Sequence, residues 1–208
     1  MPPLKGELIR WGMGTRSNKS SEARARLLDA AVYCYKRLGA SASISDIAVQ
    51  ARISRPTVYR YFSSHQEILK AVVRREVDNF WTNLHNELKE IDNFGDYLVE
   101  ALIFTLKKSQ ATEISNLLLA RDILPIMNEI FLSDRSYLID FTESMKAIYD
   151  RLKTRSNIRQ DLDLMVVCEW FNRLAISYLA TPSPFYQSED ELRRLFKTMT
   201  ALMLEKPA

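Results

Sequence analysis

Glycine, cysteine and histidine are scarce in this chain of 208 residues, which has five, two and two of them. Because glycines are few and apolar residues recur at helical spacing from about Arg24 onward, the sequence predicts a nearly all-α protein. Cys34 and Cys168 stand far apart in apolar helical contexts, which indicates reduced, buried thiols and argues against a disulfide framework. The two histidines have no metal-ligand spacing, so we expect no metal and no cofactor.

Long apolar runs are also missing. No stretch reaches the roughly 18 apolar residues of a membrane span, and the first twenty residues contain no continuous apolar segment. We therefore expect a cytoplasmic protein without a membrane partner. The chain also lacks a glycine-rich phosphate loop, a CxxC pair and a nucleophile-elbow serine, so we do not expect an enzyme.

Charge is distributed unevenly along the chain. Residues 1–75 contain fourteen Lys/Arg against five Asp/Glu, a formal charge of +9, whereas residues 76–208 contain fifteen against twenty-one, a charge of −6. This asymmetry indicates that the first third of the chain faces a polyanion. Residues 1–20 combine prolines, glycines and basic residues, which predicts a flexible basic arm; whether the arm touches DNA is left open.

The next segments predict short helices with defined ends. An apolar stripe runs over residues 21–38 and stops at Gly39. A second helix begins at Ser43, with Asp46 at the spacing of a capping box, and ends near Arg52.

A short helix, a tight turn and another short helix, braced by a longer helix in front, form the helix-turn-helix, whose second short helix enters the major groove. That second short helix is predicted to follow a cap at Ser54 and to end near Tyr61. Guanidinium groups bind guanine edges bidentately, and small apolar groups contact thymine methyls. The residues predicted to read bases are Arg55, Pro56 and Thr57. Those predicted to contact phosphates are Ser43, Ser45, Tyr59, Arg60 and His65.

These residues resemble the DNA-binding signature of the TetR family of bacterial regulators. The resembling segments are SDIA at 45–48, ARISRPTVYRYF at 51–62 and SHQEIL at 64–69. The resemblance implies a three-helix DNA-binding domain, a long connecting helix, a divergent C-terminal domain that holds an inducer, and dimerisation through the last two helices. Arg52 replaces the usual turn glycine, which requires either a left-handed backbone or a different turn. His65 replaces a common lysine.

Beyond a fourth helix that continues past Phe80, the sequence predicts about five or six further helices. Aromatic and apolar residues in the middle helices are predicted to line a ligand pocket, although each alone fits an ordinary core. The pocket residues are Trp81, Leu84, Tyr97, Phe104, Leu118, Arg121, Met127 and Phe141. Two apolar stripes near the C-terminus are predicted to form a dimer interface. The interface residues are Leu164, Val167, Phe171, Leu174, Tyr178, Leu192, Leu195, Phe196 and Met199.

The sequence therefore predicts an all-α protein with a helix-turn-helix DNA-binding domain at 21–66 and a larger helical ligand-binding and dimerisation domain at 67–208. The expected function is that of a transcriptional regulator, a repressor, which binds a palindromic double-stranded operator as a homodimer. A small apolar or amphipathic inducer would release it. Two alternatives stay open: a constitutive DNA-binding protein without inducer, and a small helical enzyme that uses carboxylates such as Asp122 and Glu129.

Overall fold

The computed structural model describes residues 18–109, 124–159 and 161–205, and over these ranges the chain forms helices and turns without any strand. The α-helices are α1 Asn18–Leu38, α2 Ile44–Gln50, α3 Arg55–Tyr61, α4 His65–Glu87, α5 Phe94–Ser109, α6 Leu124–Asn128, α7 Arg135–Leu152, α8 Leu164–Ala180 and α9 Glu189–Leu204. A π-helical turn, Glu129–Ser133, joins α6 to α7. The all-α prediction is confirmed. Within these ranges no helix is both long and apolar enough to cross a membrane.

Side-chain caps fix the starts of the short helices. The Ser43 hydroxyl accepts a hydrogen bond from the backbone N–H of Asp46 at 3.2 Å, and the Asp46 carboxylate accepts one from the Ser43 N–H at 2.8 Å. This reciprocal pair is the predicted capping box. Ser54 caps α3 through the N–H of Thr57, and Ser64 caps α4 through the N–H of Glu67. A helix loses about 1 kcal/mol when such a cap is removed.

The buried side chains form two hydrophobic cores. The first core joins α1, α2, α3 and the first half of α4 to residues of α6, the π turn and α8. Its members include Leu27, Tyr35, Ile47, Val58, Phe62, Ile68, Ile126, Met127, Ile130, Phe131 and Ile176. The second core fills the space between the second half of α4 and helices α5, α7, α8 and α9. Its members include Leu84, Phe94, Tyr97, Leu102, Phe141, Phe171 and Phe196.

Helix α4 belongs to both cores and therefore connects the two halves of the molecule. Ion pairs reinforce its first half: Arg75 pairs with Asp29 of α1 at 2.7 Å, and Lys70 pairs with Glu129 of the π turn. The predicted domain boundary between residues 66 and 67 falls within the first turn of α4. The first half of α4 packs with the N-terminal helices, and its second half packs with helices of the C-terminal part.

Candidate DNA-binding site

The turn between α2 and α3 is closed by Arg52 in a left-handed conformation, with φ of 55°. The N–H of Arg52 donates to the carbonyl of Val49 at 3.1 Å, and the N–H of Ile53 donates to the carbonyl of Ala48 at 3.0 Å. This is the hydrogen-bond pattern of a Schellman motif, in which the left-handed position usually holds glycine. Of the two backbone options raised by the sequence, the structure adopts the left-handed one.

Helix α3 turns one face inward and one outward. Val58 and Phe62 lie in the first core and are 0% and 1% exposed, so they anchor the helix in that core. Arg55 and Pro56 are exposed at the start of the helix, and Tyr59 is 47% exposed. The outward face therefore presents a guanidinium group, an apolar ring and a phenol near the helix N-terminus, where a groove-reading helix carries its contacts.

Two of the predicted base or phosphate contacts are constrained by their neighbours. The Thr57 hydroxyl lies 2.9 Å from the Ser54 hydroxyl, and the Ser43 hydroxyl donates to Asp46 at 2.6 Å. The Thr57 hydroxyl is therefore engaged within the cap, and its methyl group is the part left for the predicted base contact. The Ser43 side chain is engaged by the capping box, so a phosphate contact there would use the backbone N–H groups at the start of α2.

His65 has a structural role in addition to its predicted phosphate contact. Its Nε2 lies 2.7 Å from the carbonyl oxygen of Ala42 and 3.0 Å from the hydroxyl of Tyr35. A carbonyl oxygen at that distance requires Nε2 to carry the hydrogen, so Nδ1 of the neutral ring is an acceptor, and a phosphate contact there would use the backbone N–H groups at the start of α4. The hydrogen bonds tie the start of α4 to α1 and to the segment before α2, a link that the sequence spacing did not reveal.

The face around α3 is basic. No acidic side chain is present in α3, and within the described ranges Arg52 and Arg55 form no ion pair. The Arg60 guanidinium lies 5.1 Å from the ring centre of Tyr61, in a cation–π contact. Ser45 is half-buried at the start of α2. Cations without protein partners on one face favour a polyanionic partner.

The predicted pocket residues lie in more than one place. Trp81, Leu84, Tyr97, Phe104 and Phe141 come together in or against the second core, with the Trp81 and Phe141 ring centres 4.9 Å apart. Met127 lies instead in the first core, because α6 packs against the N-terminal helices. Leu118 and Arg121 are outside the described residues, as is most of the predicted basic arm.

The predicted interface residues divide by burial. Val167, Phe171 and Phe196 are at most 2% exposed, since they pack into the protomer's own second core. The remaining six keep part of their surface: Leu164, Leu174, Tyr178, Leu192, Leu195 and Met199. Two apolar side chains of α8 that helical periodicity missed, Met165 and Val166, are 40% and 58% exposed. Leu202, which follows the spacing of the second apolar stripe, is 79% exposed on α9.

One open cleft of about 270 Å³ lies between the start of α5, the α7–α8 connection and the end of α9. Its lining includes Asp96, Lys197 and Glu205, and none of the predicted pocket residues. Within the described ranges, no group of three His, Cys, Asp or Glu side chains could hold a metal ion. Cys34 and Cys168 are both buried free thiols, as the sequence predicted.

A short helix held against a core, a left-handed turn before it and a basic outer face define the helix-turn-helix class of DNA-binding proteins. Comparison with known sequences agrees, since the profile of the bacterial regulatory proteins, tetR family, matches residues 27–72. The transcriptional activator FasR of Mycolicibacterium smegmatis is 34% identical over 88 residues, which span 41% of this chain and 40% of FasR. The DNA-binding region at residues 27–72 is therefore similar to that of the tetR family of bacterial regulatory proteins.

Solved structures share the fold over nearly the whole chain. The transcriptional repressor QsdR of R. erythropolis, from the TetR family, has a TM-score of 0.65 at 15% identity, covering 91% of this chain and 98% of QsdR. RolR in complex with resorcinol has a TM-score of 0.61 at 19% identity, covering 91% of this chain and 90% of RolR. At these identities the likeness concerns the fold.

Proposed function

We propose that this protein is a ligand-released repressor that binds a palindromic operator as a homodimer. The observation that carries the proposal is the exposed N-terminal face of α3, with Arg55 and Pro56 outward and Val58 and Phe62 locked into the core. Arg55 would read guanine bidentately, while Pro56 and the Thr57 methyl would contact thymine. A dimer would place two such helices about 34 Å apart, one turn of DNA.

The outer faces of α8 and α9 support the homodimer. The backbone N–H of Arg159, just before α8, donates to the carbonyl of Leu204 at 2.8 Å, and farther along α8 the Tyr178 ring lies 5.2 Å from that of Phe196. The two contacts place α8 and α9 side by side and running in opposite directions. Exposed apolar side chains at one end of this pair, Val166 and Leu202 among them, would be covered by the same pair of a second copy. Two such pairs make a four-helix interface.

The packing of α4 supports a route from ligand to DNA. A ligand among the aromatic side chains around Trp81 would contact the second half of α4, whose first half belongs to the first core. The pair between Arg74 and Asp134 adds a link between α4 and α7. A ligand that favours a different α4 position would change the spacing of the two α3 helices, so operator affinity would fall by linkage. RolR, a structural relative, binds resorcinol.

Repression is the direction we propose for the transcriptional effect, as in the structural relative QsdR, although FasR is an activator. A bound dimer would occupy the operator and exclude other proteins from it. Of the alternatives, a constitutive DNA-binding protein would bind the same operator with no ligand response. For an enzyme, the described residues offer only scattered carboxylates such as Glu129, and Asp122 lies outside them.

Selection from random duplex DNA at near-physiological salt tests the proposal. We expect enrichment of one palindromic sequence, with one dimer bound to each site. Enrichment of no sequence, together with binding that vanishes as salt rises, would leave a nonspecific basic domain and refute the operator assignment. The selected duplex then serves as the probe for ligands that release the protein and for a promoter assay of repression.

A further inference from the structure

An arginine of α1 lies against the end of α3. The guanidinium carbon of Arg24 stands 4.5 Å from the centre of the Phe62 ring, within the range of a cation–π contact. Phe62 ends α3: its backbone N–H donates to the carbonyl of Val58 at 3.1 Å, and its side chain is 1% exposed in the first core. Arg24 is itself an exposed residue, so its charged group packs from the surface onto a buried ring.

The same guanidinium lies near the corner between α3 and α4. The Glu67 carboxylate closes this corner, since it accepts hydrogen bonds from the backbone N–H of Ser63 at 2.5 Å and from the Ser63 hydroxyl at 2.7 Å. These hydrogen bonds lower the pKa of Glu67, and the positive charge of Arg24 lowers it further. Arg24 therefore faces two groups that fix where α3 ends and α4 begins, the Phe62 ring and the Glu67 carboxylate.

The position of Arg24 along α1 explains this contact. Leu27 and Leu28, three and four residues farther along, are buried in the first core, so Arg24 stands at the end of the same helix face. Residues two apart do not share a face, and Arg26 is the comparison. Over the described part of the chain, Arg26 is exposed and takes part in no ion pair or cation–π contact.

The angle of α3 decides base reading but not the general attraction to DNA. Helix α3 has seven residues, and its outward side chains reach base edges only while the helix lies at the right angle in the groove. Attraction to phosphates depends on the number of positive charges and tolerates a change in that angle. A contact that holds the end of α3 therefore contributes to sequence preference without touching a base.

We propose that Arg24 is a positioning residue for operator recognition. Its guanidinium holds the Phe62 ring and the corner between α3 and α4, and thereby sets the angle at which α3 presents its exposed residues. The inference rests on the operator binding proposed above and adds to it a residue that acts on specificity through the packing of α3. Contact between Arg24 and a phosphate is the competing role.

Arg24→Gln tests the proposal on the full-length protein with the operator selected from random DNA. Glutamine keeps a long polar side chain of similar helix propensity but has no charge to place over the ring. We expect the ratio of affinities for the operator and for a scrambled duplex of equal length to fall about twofold to fivefold, the size of an exposed cation–π contact. Arg26→Gln, the matched control, removes the same charge from the same helix and should leave the ratio unchanged. An unchanged ratio in Arg24→Gln would overturn the proposal.

The salt dependence of binding separates positioning from phosphate contact. Loss of one phosphate contact would reduce the slope of log binding constant against log salt concentration by about 0.9 and weaken both duplexes by the same factor. We expect instead a nearly unchanged slope in Arg24→Gln, and recovery of part of the affinity ratio in Arg24→Lys, which places a cation over the ring again. A reduced slope with an unchanged ratio, or a lysine variant no better than the glutamine variant, would overturn the proposal.

A double-mutant cycle with Phe62→Leu tests whether Arg24 acts through the ring. Leucine keeps an apolar side chain in the first core but offers no ring to a cation. Arg24→Gln should therefore lower the affinity ratio less in the Phe62→Leu background than in the wild type, and an equal loss in both would overturn the proposal. Thermal unfolding of each variant accompanies the cycle, because a smaller folded population weakens both duplexes alike and leaves the ratio unchanged.

The selection experiment distinguishes this inference from the function on which it rests. If the wild-type protein selects an operator and Arg24→Gln keeps the wild-type ratio, the positioning role is wrong and operator binding stands. If the wild-type protein enriches no sequence, operator binding fails and the positioning role fails with it.

Discussion

Arg52 provides a direct test of the turn that sets the angle between α2 and α3. A left-handed conformation costs a residue with a β-carbon about 1–2 kcal/mol. Glycine avoids this cost but loses more chain entropy on folding, about 0.5–1 kcal/mol. Arg52→Gly should therefore raise the free energy of unfolding by about 0.5–1 kcal/mol. For a chain of 208 residues this corresponds to a melting temperature about 1–4 °C higher.

Arg52→Ala is the control, because alanine keeps the left-handed cost and removes the same charge. We expect thermal unfolding to place the glycine variant above the alanine variant, with the alanine variant close to wild type. If Arg52 also contacts a phosphate, both variants would reduce the slope of log binding constant against log salt concentration by the amount that corresponds to about one phosphate contact. Equal melting temperatures of the glycine and alanine variants would refute the left-handed turn in solution.

Three further predictions concern recognition, stability and assembly. Arg55→Ala should lower the binding free energy by about 1–3 kcal/mol at one base pair and relax the sequence preference there. Arg60→Ala should weaken binding to all duplexes by the same factor. Competition with single-base operator variants distinguishes the two effects. Burial lowers the pKa of His85 to about 4, below its ordinary 6.5. The unfolded chain therefore takes up the proton first, and stability should fall as pH drops from about 6.5 toward 4. His85→Gln should flatten that part of the melting profile, and an unchanged profile would contradict the burial argument. Leu202→Glu should convert the dimer to monomers in sedimentation, whereas Val49→Glu, equally exposed on α2, should not. A Leu202→Glu variant that stays dimeric would show that the interface does not include Leu202.

The local features of the DNA-binding region could be read from the sequence because their determinants lie within a few residues of each other. The capping box of Ser43 and Asp46 depends on residues three positions apart, and so does the cap of Ser54 on α3. The inward faces of Val58 and Phe62 follow from helical spacing. The residues that determine each of these elements lie within the element itself, so the helix-turn-helix and its exposed residues could be predicted from the sequence.

Long-range packing determined which surface each apolar helix face contacts, which helical periodicity alone does not specify. Helical spacing led to the prediction that Val167, Phe171 and Phe196 lie in a dimer interface, but spacing does not distinguish a second copy from the protomer's own core, and these three pack into the core. Met127 was predicted beside the aromatic residues of the middle helices, yet α6 packs on the N-terminal helices and places it in the first core.

The sequence by itself therefore determined the helices, their caps, the basic N-terminal third and the residues that α3 exposes, because each depends on neighbours along one helix or turn. Only the tertiary structure placed His65 against Tyr35 and Ala42, thirty and twenty-three residues away, and the Arg24 guanidinium over the Phe62 ring, thirty-eight residues away. Such contacts depend on how separate helices pack, and a buried polar group shows whether it has a partner only when every element around it is in place.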